Sequence, residues 1–107
     1  LNKEVMQILG LSMRARQIAT GESVIDAIRK KKASLVLYAS DASDNTKKRI
    51  VNKADYYEVE AIEVENSELL SRCIGKSGRV AVAILSDGFA KKIKEKLGVG
   101  DKDGKNE

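Results

Sequence analysis

An α/β domain, one small sheet covered by helices on both faces, is the fold this sequence predicts, and two observations carry the expectation. Three short runs rich in β-formers, 35–39, 61–64 and 79–85, are separated by stretches whose apolar residues recur at helical spacing. Two of those runs, 35–39 and 79–85, lack the polar alternation of a half-exposed strand, which is the pattern of strands buried on both sides. With 107 residues, 42% of them hydrophobic, the chain supports one core rather than two. A single domain over 1–97 is expected, followed by a disordered tail, because 98–107 offers only Val99 for burial.

Taken in order, Asn2 can cap a first helix in which Val5, Ile8, Leu9 and Met13 form one stripe, ending near Arg16. Thr20-Gly21 is a start signal for a second helix with Val24, Ile25 and Ile28 on one side and an i, i+4 pair, Asp26 and Lys30, on its surface; it stops in the basic run 29–32. The strand 35–39 follows and is expected to be central. Ser43 or Asp44 opens a third helix to about Ala54, with Ile50, Val51 and Ala54 inward and Lys47, Lys48, Arg49 and Lys53 outside. After the strand at 61–64, Asn66 or Ser67 caps a short helix burying Leu69, Leu70, Cys73 and Ile74, which Gly75 ends. The last strand, 79–85, leads to an Asp87-capped helix with Phe89, Ile93 and Leu97 on its stripe. Right-handed crossovers between these elements predict that the main strands run largely parallel.

Composition narrows the function. Cys73 is the only cysteine and histidine is absent, so no internal disulfide can form and the usual zinc ligands and general bases are missing; a metal site and an enzyme are disfavoured. No secretory or membrane-spanning run is present, so a cytoplasmic protein is expected, and the opening on Leu1 suggests that further residues precede it. Net charge is +4 with pI near 9.2, and all of the excess lies in the first 40 residues, where seven basic side chains face three acidic ones.

The stretch that carries chemistry is the start of the second helix. The first N–H groups of a helix lack internal partners and sit at the positive end of its dipole, so the turn at Gly21, flanked by Arg14 and Arg16, suits phosphate or polar base edges. Glu22 is either a first-turn carboxylate favoured by the dipole or an acceptor for a base N–H. The basic run 29–32 is either a solvated helix end or a contact for phosphate. Gly75-Lys76-Ser77-Gly78 fails as a P-loop, since Leu70 stands where the first glycine belongs and the loop leads from helix to strand; it also sits wrongly for the Gly-x-x-Gly of a KH domain. It remains a glycine-rich loop with Lys76 and Arg79 at its ends, able to approach a nucleic-acid backbone. Tyr38, Tyr56, Tyr57 and Phe89 form no evident stacking platform, Cys73 reads as a small buried hydrophobe, and Asp41 and Asp44 fit turn and cap duty as well as a phosphoacceptor corner.

Four segments in order, L-G-L-S-M-R-A-R, T-G-E-S-V-I-D-A-I-R, A-S-L-V-L-Y-A-S-D-A-S-D-N-T and G-R-V-A-V-A-I-L-S-D-G-F-A-K-K-I, resemble the kink-turn RNA-binding ribosomal-protein family of archaeal and eukaryotic large subunits, and within it the bacterial YlxQ-type proteins. The similarity spans about 4–97. The resemblance implies a three-layer α-β-α sandwich with a mixed four-stranded sheet, including a short strand around 17–19 that periodicity does not show. It also implies that the second-helix start and the loop before the last strand meet to grip sharply bent RNA at its sheared G·A pairs. The positions concerned are Gly21, Glu22, Ser23, Lys76, Ser77, Gly78 and Arg79, with Arg14 and Arg16 beside them. Typical members carry Gly-x-Asn-Glu or Gly-x-Lys-Gln at the helix start, where this chain has Gly21-Glu22-Ser23.

The expectation is a non-enzymatic, monomeric, ribosome-associated protein of the cytoplasm that binds structured RNA without cofactor, metal or membrane. Arg14, Arg16, Lys30 and Arg79 are expected to hold phosphates, Gly21 and Gly78 to permit close backbone approach, and Glu22 with Ser23 to read base edges. The alternatives are a protein-interaction module on the same fold, suggested by Glu22 and Asp26, and a small nucleotide-binding or phosphoacceptor enzyme, suggested by the 75–78 loop and Asp41.

Overall fold

The computed structural model describes residues 1–98, so the expected tail lies outside the described residues from Val99 onward. The elements are α1 (Lys3–Arg14), β1 (Ile18–Thr20), α2 (Ser23–Arg29), β2 (Leu35–Ala39), α3 (Asp44–Tyr56), β3 (Ala61–Val64), α4 (Ser67–Cys73), β4 (Ala81–Ile84) and α5 (Asp87–Leu97). Local chemistry sets most of these boundaries. Side-chain oxygens of Asn2, Ser43, Asn66 and Ser86 accept from the N–H groups of Val5, Thr46, Leu69 and Phe89 at the starts of α1, α3, α4 and α5. The cap of α5 is therefore Ser86 rather than the expected Asp87, whose carboxylate accepts from the Ser34 hydroxyl instead. Helix α1 stops two residues short of Arg16, which adopts a left-handed φ of 58° and cannot continue it.

The strands form one mixed sheet in the order β1-β4-β2-β3. Only the β2–β3 pair is parallel; β4 runs antiparallel to both β1 and β2. This corrects the expectation of a largely parallel sheet, and helix length explains it. The 13 residues of α3 extend about 20 Å, enough to carry the chain back along the sheet to the start of a parallel strand. The seven residues of α4 extend only about 10 Å. Strand β4 consequently enters at the end where β3 leaves: Ala81 pairs with Tyr38, next to the Ala39–Val64 pair.

Alternate residues of the central strands feed two cores. Leu35, Leu37, Val82 and Ile84 pack against α1, α4 and α5, while Val36, Ala81 and Ala83 pack against α2 and α3. The result is the three-layer α-β-α sandwich. Strand β4 carries its large side chains on the first face and alanines on the second, so α2 lies close to its backbone. On α3, Ile50 and Ala54 are inward as expected but Val51 is 40% exposed, since it is turned about 100° from the Ile50 stripe. Leu69 and Cys73 of α4 are only partly covered, and Leu70 and Ile74 carry that helix's buried face.

Candidate nucleic-acid interface

Thr20 ends β1 beside Val82, and Gly21 then turns the chain into α2 with φ of 61°, a conformation costly for any residue with a Cβ. Helix α2 is two turns long, and the Val24 N–H already donates to the Gly21 carbonyl at 3.2 Å, so the expected row of free helix-start amides is curtailed. Glu22 makes no capping hydrogen bond, and Gly21, Glu22 and Ser23 are all exposed. What sets this turn apart is what it faces.

It faces the loop before β4. The Arg79 guanidinium donates through Nε to Thr20 Oγ1 at 3.3 Å and through Nη1 to the Ser77 carbonyl at 3.0 Å, and a Cβ on Gly21 would stand 4.0 Å from Nε. Gly75 and Gly78 bend the loop with φ of 70° and 67°. Its anchor is Ser71 of α4, 4% exposed, whose hydroxyl accepts from the Arg79 N–H at 2.8 Å and donates to the Arg79 carbonyl at 3.0 Å. Between the turn and the loop lies a cleft of about 210 Å³ with Gly21, Glu22 and Ile25 on one side, Gly78 and Val80 on the other, and Thr46 and Arg49 of α3 at its margin. A hollow of about 390 Å³ opens on the loop's other flank, beside Arg72, Lys76 and Ser77.

The expected phosphate ligands do not all share this surface. Arg16 precedes Ile18, which pairs with Ile84 at the far end of β4, whereas Gly21 follows Thr20 at the near end; the four-residue stretch 17–20 between them, extended through β1, places them roughly 15 Å apart. Helix α2 leads away from the cleft for about 10 Å to Lys30, after which Ser34 donates to the Ile84 carbonyl. Arg14, Arg16 and Lys30 thus sit at the opposite end of the sheet from Gly78 and Arg79. The expectation that the two arginines flank the helix start is corrected: β1 separates them, and a three-residue strand gives no periodic signal.

Three further features are accounted for by local structure. Asp41 accepts from the Ser67 N–H at 2.8 Å and the Ser67 hydroxyl at 3.0 Å, tying the turn after β2 to the start of α4, so its carboxylate is committed away from phosphoacceptor duty. The 75–78 loop begins as a helix end, with Gly75 donating to the Arg72 carbonyl and Lys76 to that of Ser71. The Cys73 thiol is half-buried, and desolvation pushes its pKa up, away from reactive thiolate.

Sequence reasoning missed Thr20, Ser71 and Arg49 as parts of the site, and it missed an aromatic pair. The rings of Tyr56 and Tyr57 meet edge to face with centroids 4.8 Å apart, and with Arg49, Asn52 and Lys53 they line an open cleft of about 590 Å³ along α3. A small serine or threonine carries no periodic signal, but the stripe 49, 52, 53, 56, 57 is visible as helical spacing on α3.

Among known proteins, the sequence profile of the ribosomal protein L7Ae/L30e/S12e/Gadd45 family matches residues 3–94. The chain is 46% identical over 91 residues to RNA-binding protein YlxQ of Bacillus subtilis (strain 168), spanning 84% of this chain and 91% of that protein. It is 44% identical over 94 residues to RNA-binding protein YlxQ of Enterococcus faecium, spanning 87% and 90%. A solved protein with unknown function from Bacillus halodurans C superposes with a TM-score of 0.86 at 35% identity, over 91% of this chain and 99% of that one. The Giardia lamblia 15.5kD RNA binding protein shares the fold, with a TM-score of 0.71 at 18% identity over 92% and 88% of the two chains.

Proposed function

We propose that this chain, which belongs to the ribosomal protein L7Ae/L30e/S12e/Gadd45 family, is a non-enzymatic RNA-binding protein that recognises structured, kink-turn-like RNA at the junction of the α2 turn and the loop before β4. The observation that carries the proposal is the Arg79–Thr20 bridge, which holds two left-handed glycines, Gly21 and Gly78, on either side of one cleft. Two exposed backbones without side chains allow a bent nucleic-acid backbone to approach closely, and Arg79 supplies a planar, permanently charged donor between them. Glu22, exposed at the cleft's lip, and Ser23, exposed next to it in the chain, offer an acceptor and a hydroxyl to base N–H groups displayed by non-Watson–Crick pairs. Lys76 and Ser77 extend the contact on the loop's outer flank. The protein works as a cytoplasmic monomer in association with the ribosome, its RNA partner being ribosomal or kink-turn containing.

Arg14, Arg16 and Lys30 belong to a second, basic end of the molecule, where they attract RNA phosphates without contributing to the cleft. The rival reading, a protein-interaction module on the same fold, rests on Glu22 and Asp26. Asp26 is engaged by Lys30 at 3.2 Å, with Arg29 at 4.0 Å, so it is an intrahelical partner rather than a free acidic reader.

Binding to a kink-turn hairpin and to a straight duplex of equal length, titrated from low to physiological salt, tests the proposal. The bent RNA is expected to win by at least tenfold, about 1.4 kcal/mol. Arg79→Ala should cut that preference while the circular dichroism spectrum stays unchanged, with the salt slope reduced by about one unit. Equal binding of both RNAs that vanishes with salt would overturn kink-turn recognition.

A further inference from the structure

We infer that the outer face of α3 is a second RNA subsite, one that takes an unpaired nucleotide on the strand leaving the junction; the inference rests on the RNA-binding reading above. The cleft of about 590 Å³ is lined by Arg49, Asn52, Lys53, Tyr56 and Tyr57, all side chains of one helical stripe and the residue that caps it. Tyr56 is 78% exposed, the most exposed of the large apolar side chains in the described residues. Its edge-to-face contact with Tyr57, itself packed against the α2–α3 core, favours one orientation of the ring. An aromatic face held in this way is a stacking surface for a base.

The surroundings select the occupant. Arg49 and Lys53 stand one turn apart, and neither forms an ion pair among the described residues, whereas Lys47 of the same helix is held by Glu63. The acidic residue nearest in sequence, Asp55, borders a different hollow with Glu60 and Ala61. A pair of free cations beside an exposed ring, with the Asn52 amide between them, matches one nucleotide: phosphate on the cations, base on the ring, base edge toward the amide. Arg49 also borders the junction cleft, so the two sites adjoin at its side chain and a strand can pass from one to the other along α3. A protein partner is the less fitting occupant, because the stripe exposes one large apolar ring among polar and cationic groups rather than an apolar patch.

The test compares a kink-turn hairpin with and without a short single-stranded tail at each end, using the full chain. The chain has no tryptophan and three tyrosines, Tyr38, Tyr56 and Tyr57, so the share of tyrosine emission that is lost in Tyr56→Ala reports on Tyr56. One of the two tails is expected to tighten binding about tenfold and quench tyrosine emission. Tyr56→Ala should lose the increment and the quenching while keeping the affinity for the tailless hairpin; Tyr56→Phe should keep the increment, and Lys53→Ala should reduce it. A tail that adds nothing, or an increment that survives Tyr56→Ala, overturns the subsite. If the hairpin is not preferred over a straight duplex, the junction reading fails by itself, and the tail oligonucleotide alone then decides: Tyr56-dependent quenching supports the subsite, and its absence overturns that too.

Discussion

Ser71 shows how one buried hydroxyl can position the loop proposed to contact RNA. Its oxygen both accepts from and donates to the Arg79 backbone, so a single side chain satisfies two polar groups at a place where the loop has no ladder of its own. Ser71→Ala leaves both groups without that partner and is expected to cost about 1–3 kcal/mol in urea unfolding. It should also weaken binding to kink-turn RNA, since the Arg79 side chain reaches Thr20 only while its backbone is held. A variant with wild-type stability and affinity would show that solvent replaces the serine at no loss. Thr20 matters in the same way from the other strand, as the acceptor that aims the guanidinium across the cleft.

Helix ends follow one pattern at the next scale. After α1, α2, α3 and α4 the chain turns with the same pair of hydrogen bonds, and the left-handed residue in each is Arg16, Lys31, Glu58 or Gly75. Only the last is a glycine, and the left-handed conformation costs any other residue roughly 1–2 kcal/mol. Glu58→Gly is therefore expected to raise stability by about 0.5–1 kcal/mol after the glycine's extra chain entropy is deducted, read as a higher thermal midpoint. Gly75→Ala should do the reverse by about 1 kcal/mol, and from backbone strain alone, because a Cβ there meets nothing within 4 Å. If Glu58→Gly lowers the midpoint instead, the carboxylate has a stabilising role that its exposed position does not suggest. Element lengths also shape the interface. A longer α4 would have returned the chain to the other end of the sheet, and the loop carrying Gly78 and Arg79 would no longer meet the α2 turn.

For the whole molecule the consequence is two ends with different work. The near end holds the glycines, Thr20 and Arg79; the far end gathers Arg14, Arg16 and the run 29–32, of which Arg29 and Lys30 are partly occupied by Asp26. Substituting Arg14, Arg16 and Lys31 together by alanine should weaken binding to straight and bent RNA alike, leaving the bent-to-straight ratio intact. The salt slope should flatten by about 0.9 for each phosphate that the variant no longer neutralises. Arg79→Ala should lower the ratio itself. The two variants measured side by side separate attraction from recognition, and loss of the ratio in the triple variant would mean that both ends grip one continuous RNA surface.

How far the sequence reached follows from the range over which each physical signal acts. Periodicity and capping are written in a few neighbouring residues, so α1, α3 and the buried strands were legible from the Val5–Ile8–Leu9 stripe, from Asn2, Ser43 and Asn66, and from the unbroken apolar runs. The junction's two segments were legible from helix-start and glycine-loop chemistry, their meeting was implied only by the resemblance, and Gly21 and Gly78 each had a conformational reason to be glycine. Strand order was beyond local signals, because it depends on helix length compared with sheet length and on burying both faces at once. So were the pairing of Ser71 with Arg79, the meeting of Tyr56 with Tyr57, and the separation of Arg14 and Arg16 from the cleft. Residues near in sequence were split by a three-residue strand, and residues distant in sequence were joined by it: only the register of β1 against β4 determines which charges share a surface.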